Sequence, residues 1–403
     1  MTTRRLQPDL SSERGAVIVF VTIALVGLIA FSTFVVDYGV MWTARRQAQN
    51  AADAAALAGA ISLAYVDFND QDLARASALA VAAQNKVWGV VPDITAADIT
   101  FPVCPPGAPG AGTNSCVRVN VFRNQRAGGS PLPTFFGKIV GIDEQGVQAT
   151  ATAEALFGNS TDCVKPFAVA DKWTEKRNDV GAPGWDETDS FERYGNKGVL
   201  LDPADVYEGG FTPTSIATGG DYGRYITLKN GNPKDAITPG WFQPVVINPA
   251  EGPGGDNYRE NIATCDMTVI GPGTLLEVEP GNMIGPTKQG MDDLIALDKD
   301  AKWNKTLNGG IGGIEGGCMS STTSPCAISP RLVAIPMFNP DAYQLAAQNG
   351  RTTIQITKVL GFFVDEMDGN DIKGYLMTYP ADPSAGMGGV PGSGFVVSVA
   401  LVR

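Results

Sequence analysis

The stretch AVIVFVTIALVGLIAFSTFVVDYGVMWTARRQAQNAADAAALAGA, Ala16 to Ala60, joins two kinds of sequence at one aspartate. Ala16 to Val36 is about 21 residues without a charge, the length a helix needs to cross a hydrocarbon core. Its polar side chains, Thr22, Ser32 and Thr33, can return their hydroxyls to their own helix backbone. A buried core helix of this length would carry a polar face, and a cleavable signal peptide has a shorter apolar run that ends in small residues. The segment therefore reads as an uncleaved transmembrane anchor over residues 16–36. Arg4, Arg5 and Arg14 precede it and Arg45 and Arg46 follow, a balance that leans towards residues 1–15 in the cytoplasm.

Beyond Asp37 no proline interrupts the chain before Tyr65, and strong helix formers dominate. The helix is expected to continue into water, about 50 residues and roughly 75 Å in all. Helical spacing puts Arg46, Gln49, Asn50 and Asp53 on a polar face. The opposite face consists of Ala44, Ala48, Ala51, Ala55, Ala58 and Ser62. So small a face lets another backbone approach closely. Two occupants fit it: a helix of another molecule, including a second copy in a homo-oligomer, or the chain's own head. At the membrane exit, Asp37 resists sliding of the helix inward and is placed to pair with a cation on a neighbouring assembly component. Tyr38, Trp42, Arg45 and Arg46 would complete an interfacial collar.

These residues carry a family resemblance. Gly15 before the span, the exit Val36-Asp37-Tyr38-Gly39, the step Arg45-Arg46-x-x-Gln49 and the run from Asn50 to Ala58 resemble the N-terminal segment of Tad, or Flp pilus-assembly, TadE/TadG-like proteins. What the resemblance implies is a single-pass protein of the bacterial inner membrane with its bulk outside the cytoplasm. It would be a structural or assembly component of a Tad (tight adherence, Flp-type) pilus or secretion system, and its partners would be other Tad pilus-assembly proteins. Pilin-like members carry Glu five residues after the cleavage glycine, where this chain has Phe20. Processing after Gly15 and a role as a polymerising major pilin are accordingly not expected.

Composition narrows the function classes. A net charge of −12 with 18% charged residues argues against nucleic acid, whose binding needs clustered Lys and Arg. The chain has no histidine, the most frequent general base and transition-metal ligand. No catalytic residue, cofactor or metal is assigned, and action by protein–protein contact without catalysis is expected. The alternatives are a membrane-tethered envelope enzyme and a surface adhesin or binding module, each with its site in the C-terminal domain.

The fold class expected is α+β: the long helix extends into a pilin-like small α+β head, and a mainly β, loop-rich C-terminal domain follows. Stalk and head occupy residues 37–158, the C-terminal domain residues 159–403. After a break at DFND, Asp67 to Asp70, a second helix is expected from Gln71 to about Lys86. Strands are expected at ITFPVC, at CVRVNVFRN from Cys116 and at VQATATAEALF from Val147, with a short helix at LPTFFGKIVG from Leu132. In the C-terminal domain the clearest strands begin at Arg331, Thr352, Ile372 and Gly394, and a helix is expected over Thr287 to Leu297. The 48 glycines and 27 prolines account for the long connections.

Six cysteines form an even set that suits an oxidising compartment. Short separations point to Cys104 with Cys116 and Cys318 with Cys326, leaving Cys163 with Cys265, although other connectivities stay open. Paired C-x-x-C spacing for zinc is absent. DETDS, Asp186 to Ser190, matches the D-x-[ST]-x-S pattern of the metal-ion adhesion site of von Willebrand A domains, but VGAPGW stands where that site needs an apolar strand. DEMDGND, Asp365 to Asp371, gathers carboxylates that could hold calcium, and reads more simply as an Asp-Gly hairpin turn. GGIGGIEGG, Gly309 to Gly317, is expected to be a flexible loop.

Overall fold

A computed structural model describes residues 13–126, 129–177, 184–232, 235–347, 353–381 and 394–402. Arg4, Arg5 and most of the stretch before Asp186 lie outside these residues. Helix α1 runs unbroken from Glu13 to Tyr65, 53 residues, or about 80 Å at 1.5 Å per residue. Among the described residues it is the one helix long and apolar enough to cross a membrane. It stops at DFND, where Asp67 accepts the Asn69 N–H and Asp70 accepts the Leu73 N–H, both at 2.8 Å. The second contact serves as an N-cap for α2, Gln71–Gln84.

The chain divides into two compact units. The first takes α1 as far as Ala56 with Ala78–Thr100 and Arg118–Ala151; the second takes Leu57–Ser77, Phe101–Val117 and the chain from Thr152 onward.

In the first unit β1 (Ile99–Thr100) pairs antiparallel with β2 (Cys116–Arg123), Ile99 opposite Val119. The strand expected at ITFPVC stops at Thr100 because Pro102, two residues on, has no N–H for a ladder. Val119 and Val121 are buried while Arg118 is exposed, the alternation of a half-buried strand. Two short strands, β3 (Leu132–Pro133) and β4 (Glu144–Gln145), pair antiparallel. The helix expected from Leu132 is absent. Thr134 Oγ donates to the Ile142 and Asp143 carbonyls at 2.5 and 3.0 Å, and Gly141 turns the chain at φ +81°. Only one 3-10 turn, Gly137–Val140, remains at the tip of this hairpin. Strand β5 (Val147–Gly158) follows, and its Thr150 donates to Asn120 of β2 at 2.7 Å.

The strands of the second unit are β6 (Phe167–Ala170), β7 (Tyr225–Asn230), β8 (Trp241–Val246), β9 (Leu275–Val278), β10 (Ala301–Asn304), β11 (Gly313–Gly316), β12 (Leu332–Phe338), β13 (Thr353–Asp368), β14 (Asp371–Met377), β15 (Tyr379–Pro380) and β16 (Val396–Val402), and some of them form a ring. Pairing runs β12–β6–β8–β7–β14–β13, and β13 returns to β12, so six strands close on themselves with β9 set between β13 and β8. Closure leaves no free edge within the ring.

Phe167, Phe242, Leu228, Ile335, Phe362 and Leu376, one from each ring strand, belong to one buried cluster. Intervening residues, among them Ala168, Trp241, Ala334 and Val359, belong to a second. Both faces of β6 and β12 are therefore apolar, which is why FAVA and LVAIPMF read as continuous apolar runs. Helices α3 (Gly255–Ala263) and α4 (Ile284–Ala296) add Tyr258, Ile262, Met291 and Leu294 to the first cluster. They cross closely at Gly290, where a Cβ would stand 2.8 Å from Ile262. Helix α5 (Pro340–Ala347) begins on a proline whose missing N–H costs nothing in the first turn. The last strand, β16, pairs antiparallel with the end of β5, Val397 opposite Phe157, and parallel with β15.

GGIGGIEGG is not a free loop: its second half is β11, paired with β10. Gly312, at φ +103°, leaves room for the Trp303 indole, which stacks on Tyr375 with centroids 4.5 Å apart. Three disulfides, Cys104–Cys116, Cys163–Cys265 and Cys318–Cys326, tie segments 12, 102 and 8 residues apart.

Candidate functional site: the end of the apolar run on the long helix

The apolar side chains of α1 project without cover: Phe20 is 72% exposed, and Leu28 and Phe31 are 67% exposed. A contiguous patch of this kind marks a surface that meets an apolar partner. Where the apolar run ends, side chains four residues apart form a ladder. Phe34 stacks on Tyr38 at 5.4 Å, Tyr38 meets Trp42 edge-on at 6.2 Å, and the Arg46 guanidinium lies 5.8 Å above the Trp42 ring. Helical periodicity brings these collar residues together, and Arg45 lines a small cleft with Trp42 and Val147.

Within the chain the partners of Asp37 are backbone N–H groups. Oδ1 accepts the Phe135 N–H at 2.8 Å, and Oδ2 accepts those of Phe136 at 3.2 Å and Gly137 at 2.7 Å. These N–H groups open a 3-10 turn and have no partner inside it. Gln145 Nε2 donates in return to the Asp37 carbonyl at 3.3 Å. Desolvation opposes ionisation of Asp37, and the three N–H donors outweigh it, so its carboxyl lies below the usual range. Between α1 and this hairpin lies a groove of about 480 Å³, lined by Val26, Ile29, Phe34, Tyr38, Phe136 and Ile142 among others.

The small face of α1 is closed in this fold. Ala44, Ala48, Ala51 and Ala55 have no exposed surface, Ser62 is buried and Ala58 is half-buried. Within the first unit Gln47 accepts the Trp88 N–H at 2.6 Å, and Gln49 donates to the Thr150 carbonyl at 3.2 Å. Arg46, Gln49 and Asn50 remain exposed.

Sequence reasoning assigned no role to Phe135, Phe136, Gly137, Ile142 and Gln145. The signal lay in TFFG: two adjacent aromatics in a segment bordered by proline and glycine have no strand or helix to bury them.

Some titratable groups of the second unit hold loops and strand ends. Asp171, fully buried, pairs with Lys358 at 2.9 Å and accepts the Tyr207 hydroxyl and the Phe211 N–H, each at 2.8 Å. Burial pushes its carboxyl up and the Lys358 ammonium opposes that. The buried Arg331 donates to the carbonyls of Val364, Asp298 and Ala301 at 2.8–3.0 Å. DETDS forms a turn in which Thr188 donates N–H and hydroxyl to Asp186 at 2.8 and 2.6 Å. DEMDGND forms the β13–β14 hairpin, Asp368 opposite Asp371, with Gly369 at φ +64°. Two groups of acidic and sulfur ligands lie close enough to surround an ion, Cys104–Cys116–Glu154 and Asp298–Cys318–Cys326, among the described residues. In each, both sulfurs are consumed by a disulfide, so neither can supply the thiolate that a metal takes.

Residues 15–62 match the family model described as putative Flp pilus-assembly TadE/G-like. That match coincides with α1 and includes Asp37, the collar and the small face. No curated protein and no solved structure matches the chain.

Proposed function

We propose that the chain is a membrane-anchored assembly component of a Tad pilus or secretion system. It is held in the bacterial inner membrane by one pass over residues 16–36 and acts by protein–protein contact without catalysis. The observation that carries this reading is the coincidence of the TadE/G-like match with α1, a 53-residue helix whose first part is bare apolar surface. Three disulfides, all in the second unit, support an ectodomain in an oxidising compartment. A long helix beside short antiparallel strands in the first unit supports a pilin-like head.

With its small face closed, α1 offers partners the exposed residues of its polar face and the adjoining collar, so other Tad assembly proteins would dock on Arg46, Gln49 and Asn50 and on the neighbouring Arg45. Photocrosslinking amino acids placed at these positions in the native host provide the test. Adducts identified by mass spectrometry as Tad-system proteins are expected. Adducts confined to the chain itself, together with normal pili in a deletion strain, would count against an assembly role.

A further inference from the structure

We propose that the hairpin tip 134–142 is a second membrane-contacting element, one that enters the outer leaflet beside α1 and encloses a phospholipid acyl chain in the groove between them. This rests on the reading that α1 crosses the membrane.

The groove continues the bare face of the span. Val26, Ile29 and Phe34 line it and also belong to the exposed apolar surface of α1. From Asp37 to Val26 is 11 residues, about 16 Å along a helix, which is roughly one leaflet of a 30 Å hydrocarbon core. Of its polar residues, Asp37 and Tyr38 follow the outer end of the span and Gln145 donates to the Asp37 carbonyl, while the residues the groove takes from within the span are apolar. A phospholipid has the same gradient from ester to tail. The hairpin tip shows Phe135 and Ile142 to the outside, 56% and 54% exposed, and with them the exposed Lys138, whose stem can reach up so that its ammonium stays among the headgroups.

Backbone pairing argues the same way. A non-helical segment can sit at membrane depth only if its N–H and C=O groups are satisfied by protein. Asp37 takes the N–H groups of Phe135, Phe136 and Gly137. The Thr134 N–H goes to the Asp143 carbonyl, and those of Gly141 and Ile142 go to carbonyls of the turn. Thr134 Oγ covers the Ile142 carbonyl.

The test uses the full chain in nanodiscs of phosphatidylethanolamine and phosphatidylglycerol. All six native cysteines are in disulfides, so Phe135→Cys, Ile142→Cys and Ile29→Cys each add one thiol for a nitroxide. Relaxation by oxygen and protection from a water-soluble nickel complex are expected at all three. Lipid contact at Ile29 with water contact at Phe135 and Ile142 overturns the wedge while leaving the span standing; water contact at Ile29 overturns the span itself. A phospholipid bearing a photoactivatable acyl chain should crosslink to residues 132–146. That adduct should be lost in Asp37→Ala while adducts on residues 17–36 persist. Acyl-chain adducts confined to 17–36 in the wild type, or capture of a second copy of the chain through Ile142, overturn the groove as a lipid site.

Discussion

Asp37 and Gly137, 100 residues apart in sequence, are joined by a 2.7 Å hydrogen bond from the glycine N–H to the carboxylate. With Phe135 and Phe136 bound to the same carboxylate, one side chain at the end of the apolar run holds the start of a hairpin turn. Sequence reading placed this aspartate to meet a neighbouring component; within the chain its carboxylate holds three backbone N–H groups.

Removing that carboxylate should free the hairpin. In Asp37→Ala the amides of 135–137 lose their shared acceptor, and hydrogen exchange at these residues should accelerate while the amides of β2 and β5 stay protected. Asp37→Asn keeps one carbonyl oxygen and should give an intermediate rate. Unchanged exchange in Asp37→Ala would show that the hairpin holds its place without the clamp.

Among the disulfides, Cys163–Cys265 closes the longest loop, 102 residues against 8 for Cys318–Cys326. In the chain-entropy model these correspond to about 4.7 and about 2.5 kcal/mol. Replacing the first pair by serine should lower the denaturation midpoint of the second unit more than replacing the second pair. Equal shifts would mean that loop length does not set their contributions.

Glycine tolerance should differ sharply within one hairpin. At Gly374 of β14 a Cβ would stand 2.0 Å from the Phe363 carbonyl oxygen and 2.6 Å from the Phe362 ring, whereas at Gly369 it would meet nothing within 4 Å. Gly374→Ala is expected to cost about 1–3 kcal/mol by overpacking. Gly369→Asn, at φ +64°, suits a residue that tolerates the left-handed region and should be nearly neutral in denaturant unfolding. A mild Gly374→Ala would indicate that β13 and β14 can separate at little cost.

The parts legible in the sequence were those with a strong local period. The uncharged run from Ala16 and the alanines after Asp37 fixed α1, and turn chemistry placed the break at DFND and the hairpin at Gly369. The closed ring was not legible. Its closure depends on β13 returning to β12 and on β6 inserting between β12 and β8, pairings between distant segments that leave no periodic trace. Asp37 was picked out as a functional residue, but its partners were not, because Phe135–Gly137 lie about 100 residues away in a segment that reads as a helix. GGIGGIEGG was misread because its glycines serve the Trp303 ring, a long-range contact, as well as local flexibility.

Lys165 supplies a pH signature for the second unit. It is 4% exposed, and its ammonium donates to the carbonyls of Asn261, at 3.3 Å, and Thr264, at the C-terminal end of α3. Burial pushes the Lys165 ammonium down from 10.5 to about 8. Between those values the unfolded chain holds a proton that the folded chain has lost, so stability attributable to this group rises with pH across that window. Below about pH 8 both states are charged and the full desolvation penalty, about 3 kcal/mol, is present. Lys165→Met removes the titration, and other groups cancel in the comparison. Wild type should therefore gain on the variant as pH increases from about 8 to about 10.5 in denaturant unfolding. A difference that stays flat through this range would show that the α3 carbonyls fully offset the desolvation of the charge.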